Sequence, residues 1–191
     1  LYHLSMNLEK APWSDPRVRR AVSLTIDRQA YVSTVFEGAG LVGAQMLPRG
    51  PWAIPDDELL KMPGYRQPKD ADIAEAKRLL AEAGFAQGVK ATITSRSETV
   101  YEKTGTFVIA ELAKIGIRGE LTVKVTAAFD DALVKGAYEL ASAGTGTALD
   151  DPDLRFGDHY VTGAGRNYGK YSNPKIDELY DKQSRTLDEN E

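Results

Sequence analysis

"DIAEAKRLLAEAGFAQGVKATITS", residues 72–95, changes its hydrophobic period halfway along, and that change decides the fold class. In the first half Ile73, Ala76, Leu79, Leu80 and Ala83 recur every three or four residues, the spacing of one buried helix face. Asp72 with Glu75 has the form of a capping box at its start, and Gly84 supplies the stop. In the second half Val89, Ala91 and Ile93 alternate with Lys90, Thr92 and Thr94, as a half-buried strand does. The pair of elements then repeats. Tyr101, Thr104, Val108, Leu112 and Ile115 line a longer helix with Gly116 beyond it. "ELTVKV" (120–125) alternates again, "AAFDDALVKG" (127–136) is a short helix and "YELASAG" (138–144) a third strand. Such alternation predicts an α/β domain.

Upstream, Tyr2, Leu4, Met6 and Leu8 against His3, Ser5, Asn7 and Glu9 predict a further strand. Asp15 followed by Pro16 reads as a cap with proline in the first helical position, above a stripe of Val18, Ala21, Val22 and Ile26. Asp27 can cap a second helix that Gly38 closes. Residues 39–68 are rich in Gly and Pro and predict a long irregular excursion, whose Trp52 and Tyr65 either pack on the core or serve a ligand. Near the end, Asn173 and Pro174 start a helix with Ile176, Leu179, Tyr180 and Gln183 along one face. Both ends of the sequence cut through an expected element. Residues 1–191 are therefore expected to be a single α/β lobe excised from a larger protein.

Composition excludes several classes of function. The net charge of −4 advertises neither nucleic acid nor an anionic membrane as partner. Cysteine is absent, which removes disulfides, thiolate nucleophiles and cysteine-ligated zinc. With only His3 and His159 as imidazoles, no transition-metal site is expected, and no cofactor either. No serine lies in a G-x-S-x-G context.

The stretch most like chemistry is "GTGTALDDPDLRF", residues 144–156, just beyond the third strand. Ligands of open α/β sheets sit at that end of the strands. Asp150, Asp151 and Asp153 do not follow the spacing of a calcium loop, and two acids beside Pro152 suit a helix start better than an acid/base pair. An enzyme is therefore not expected, and a binding surface remains.

The linear order of motifs resembles the extracytoplasmic solute-binding proteins of family 5, the oligopeptide, dipeptide and nickel class of ABC importers. The residues that carry the likeness are Asn7; Asp15, Arg17, Val18, Arg19 and Ala21; Ile26, Asp27 and Arg28; "AKRLLAEAG" (76–84); "AKIGI" (113–117); "DDPD" (150–153); and "YSNPKIDELYDK" (171–182). Thr25 stands where the family usually has alanine. The resemblance implies a periplasmic-binding-protein-like lobe, the C-terminal lobe of that family, with a mixed sheet flanked by helices. It implies a receptor in the periplasm or on the outer face of the membrane. Its partners would be a peptide or small-molecule ligand, the missing other lobe and the permease of an ABC importer, with no nucleic acid. The implied ligand-binding residues are Thr145, Gly146, Thr147, Ala148 and Leu149, joined by nearby Arg166, Asn167 and Tyr168. Peptide-binding members commonly carry an aromatic residue and, three positions on, an aspartate that pairs with the ligand's α-ammonium; here those positions are Thr145 and Ala148. An alternative is the ligand-sensing domain of a bacterial transcription regulator.

Overall fold

A computed structural model describes residues 1–146 and 149–186. Four strands, β1 (Tyr2–Met6), β2 (Val89–Arg96), β3 (Ile117–Lys124) and β4 (Leu140–Gly144), form one sheet in the order β1-β4-β2-β3. β4, β2 and β3 run parallel, and β1 is antiparallel to β4 with Tyr2 opposite Gly144 and Met6 opposite Leu140. The sheet is mixed, as expected.

The helices are α1 (Pro16–Thr25), α2 (Arg28–Val35), α3 (Asp56–Leu59), α4 (Asp70–Glu82), α5 (Thr99–Ala113), α6 (Thr126–Val134), α7 (Pro152–His159) and α8 (Pro174–Gln183). Helices α1, α4 and α5 pack their apolar faces with Ile93, Ile117 and Leu140 from the sheet. These three residues are fully buried, and each contributes about 1.5–3 kcal/mol relative to an exposed position. Helix α6 covers the opposite face, where Phe129 and Leu133 meet Ala141 and Ala143. That second cover explains a difference in β2. Thr94, expected on a polar face, is buried because α6 closes over the carboxyl end of the strand.

The caps form where short-range chemistry predicts them. Asp15 accepts from the Arg17 amide, Asp27 from those of Gln29 and Ala30, and Asn173 from that of Lys175. The expected capping box of Asp72 and Glu75 does not. Helix α4 begins at Asp70, so Asp72 lies inside its first turn, fully buried. Its carboxylate turns back to the preceding excursion, accepting from the Gly64 amide (2.8 Å), Arg66 (2.8 Å) and Lys69 (3.0 Å). Glu75 pairs outward with Arg78 instead. Helix α8 forms, yet its predicted apolar face is not buried; Leu179 is half exposed, and α7 is the neighbouring helix. In the 39–68 excursion Tyr65 lies under the Arg28 guanidinium, 4.3 Å from ring centroid to Cζ, whereas Trp52 stays 56% exposed.

Candidate functional site

At the carboxyl end of β4 the Thr145 amide still bonds to the Leu1 carbonyl (2.8 Å), and the next element is α7, from Pro152. The aspartates that follow hold structure. Asp151 is the N-cap, accepting from the amides of Asp153 (2.8 Å) and Leu154 (3.4 Å), with Pro152 beginning the helix. Asp151→Ala is expected to cost about 1 kcal/mol in urea denaturation, as cap losses do. A loss above about 3 kcal/mol would show a larger role than capping.

Asp150 ties the long excursion to this turn. Its Oδ1 accepts from the Leu47 amide (3.2 Å), and its Oδ2 is buried without a hydrogen-bond partner among the described residues. Gly50 lies against that oxygen so closely that any Cβ there would collide with it.

Arg155 completes the arrangement. It is only 7% exposed, donates from Nε to the Gln45 carbonyl (2.9 Å) and from Nη1 to Thr145 Oγ1 (2.5 Å), and so clasps the excursion to the strand end. Together with Thr145, Gly146, Asp150 and Gln45 it lines a cavity of about 110 Å³. A second, largely apolar cavity of about 280 Å³ shares Gln45 and Met46 with it and extends to Trp52, Ile54 and Phe156. Burial, then the positive charge of Arg155, then that of His159 push the pKa of His3 down to about 4, so its imidazole is neutral near pH 7. His159 is shifted down as well, by burial first and Arg155 second.

The predicted ligand-binding residues divide into groups. Thr145 and Gly146 line the smaller cavity, and Leu149 is 64% exposed on the same turn. Thr147 and Ala148 lie outside the described residues. Arg166 is exposed on the loop after α7, 3.7 Å from Asp158. Asn167 is buried, and its amide holds that loop together, donating to the carbonyls of Val161 (3.1 Å) and Tyr171 (2.7 Å) and accepting from the Tyr171 amide (2.9 Å). Tyr168 packs half-buried on the α6 face of the sheet. Sequence reasoning missed Arg155. The signal was there: a cation in the first turn of a helix opposes the helix dipole, so something else must require it.

Comparison with known proteins gives this geometry a context. The family model described as "Bacterial extracellular solute-binding proteins, family 5 Middle" matches residues 1–167. Di/tripeptide-binding protein 1 of Pseudomonas aeruginosa is 26% identical over 99% of this chain and 35% of its own length. A glutathione-binding protein of Salmonella typhi is 31% identical over 63% of this chain and 22% of its own. Among solved structures, the Agrobacterium (A. tumefaciens) binding protein AgaA in complex with agropinic acid superposes with a TM-score of 0.80 at 26% identity, covering 99% of this chain and 38% of that one. The ABC transporter-associated periplasmic binding protein DppA of Helicobacter pylori, in complex with a peptide, superposes at 0.78 with 29% identity over 99% of this chain and 36% of that one. The chain thus spans about a third of the length of the relatives it matches. It belongs to family 5 of the bacterial extracellular solute-binding proteins.

Proposed function

We propose that this chain is one lobe of an extracytoplasmic receptor that captures a small solute and delivers it to an ABC importer, acting by binding and not by catalysis. The observation that carries this reading is that Thr145 and Gly146, just after β4, border a cavity at the carboxyl end of the three parallel strands. Ligands of α/β folds occupy that position. Thr145, Gly146, Thr147, Ala148 and Leu149 are the floor of the site in this reading, and Arg166 and Tyr168 its flank, on a loop that Asn167 holds together. The remaining two thirds of the receptor supplies the opposite wall. Among the described residues, no helix is long and apolar enough to cross a membrane, which accords with a receptor outside the bilayer.

Membership of the family does not fix the ligand, because relatives are named for di- and tripeptides, glutathione and heme, and one is solved with agropinic acid. The residue types on the floor narrow it. A buried ammonium without a carboxylate partner costs several kcal/mol, and Ala148 stands where the resemblance puts that carboxylate. The ligand is therefore a neutral or anionic polar solute without a free α-ammonium group. A thermal-shift screen of the full-length protein with di- to pentapeptides, their N-acetylated forms, sugars and small organic acids tests this. Stabilisation is expected from the sugars, blocked peptides or acids. Stabilisation by free peptides that N-acetylation abolishes would contradict it.

A further inference from the structure

Arg155 is a buried cation with no ion pair among the described residues, although Asp150 lines the same cavity. Lys69, comparably buried at 8%, has Asp72 at 3.0 Å. No carboxylate lies within ion-pair distance of Arg155 among the described residues, and its contacts are a carbonyl and a hydroxyl. An arginine has five N–H groups; two are engaged by the described residues, which leave three without a partner among them, including both on Nη2. A guanidinium presents such donors as a planar fork that fits the two oxygens of a carboxylate. Keeping this charge out of water costs several kcal/mol unless something compensates it.

The cavity on which Arg155 opens has room for an anionic head group. Its volume of about 110 Å³ compares with about 30 Å³ for one water in the liquid. Asp150 shares the wall, but its Oδ1 is taken by the Leu47 amide and its Oδ2 is covered beside Gly50. Through Gln45 and Met46 the space continues into the larger cavity, walled by Trp52, Ile54, Phe156 and Pro152. A charged end therefore adjoins an apolar trough. We infer that the site takes an amphipathic carboxylate, its carboxylate held by Arg155 and its apolar body lying against Trp52 and Phe156. This rests on the solute-binding reading and narrows it from neutral or anionic solutes to one class.

The experiment uses the full-length protein and paired probes: N-acetyl-leucine, N-acetyl-phenylalanine and hexanoate, each against its own carboxamide, by isothermal titration calorimetry. The carboxylates are expected to bind on the order of 100-fold more tightly than the carboxamides, because the amide leaves the guanidinium unpaired. Arg155→Met is expected to erase that difference, and Arg155→Lys to restore part of it. Should Arg155→Met not fold, the carboxylate-to-amide ratio in the unaltered protein and the Lys variant still decide the matter. Equal binding of acid and amide, or a ratio that survives Arg155→Met, would make Arg155 a loop clasp only and overturn the inference. If no carboxylate binds while a sugar or a peptide does, the inference fails and the solute-binding reading stands. If no compound of any class binds, both fail.

Discussion

Asp72→Ala is expected to lower stability by about 3–5 kcal/mol, because it leaves Lys69 buried without its counter-ion. The Gly64 amide loses its acceptor at the same time. For a chain of this size the melting temperature should fall by roughly 6–20 °C. Glu75→Ala, three residues on, removes a surface pair with Arg78 and should change stability by less than about 1 kcal/mol. The pH dependence has a defined sign. Burial alone would raise the Asp72 pKa, but the Gly64 amide, Lys69 and Arg66 outweigh it and hold the carboxyl below its usual 3.8. Its contribution is thus complete above about pH 4 and disappears as the pH falls through the lower folded value. The unaltered protein should lose stability over that range, and the alanine variant should lose less. Urea midpoints at pH 7 and along an acid series measure both. A loss under about 1 kcal/mol at pH 7 would show that the buried cluster is not what holds the excursion to α4.

What the sequence makes legible follows from how local each interaction is. Asp15, Asp27, Asp151 and Asn173 are readable as caps because each accepts from amides two or three residues ahead. The alternation of β2 and the stripe of α5 are readable because period alone assigns a buried face. Asp72 misleads for the opposite reason. Its spacing to Glu75 imitates a capping box, while its real partners lie upstream in the irregular excursion, where no period exists. The same holds for Arg155, whose partner Gln45 is 110 residues away. Asn167 shows another limit. A polar side chain near a predicted ligand turn reads as a ligand donor, and only hydrogen-bond geometry reveals that its amide is engaged by its own loop. That Thr145 and Gly146 border a cavity is legible because the end of a parallel strand is a general ligand position in α/β sheets.

The most direct test of a solute site on that floor is calorimetric titration of full-length Gly146→Trp with the tightest ligand of the screen. A Cβ at Gly146 meets nothing within 4 Å, and its φ lies outside the left-handed region, so the fold can carry a side chain there. Stability should change by no more than about 0.5 kcal/mol. An indole in the cleft, however, occupies space the ligand needs, since such sites enclose most of the ligand surface. Affinity is expected to fall on the order of 100-fold or more, equivalent to about 2.7 kcal/mol. Unchanged affinity in a variant that melts like the unaltered protein would place the solute elsewhere and contradict the assignment of residues 145–149 as its floor.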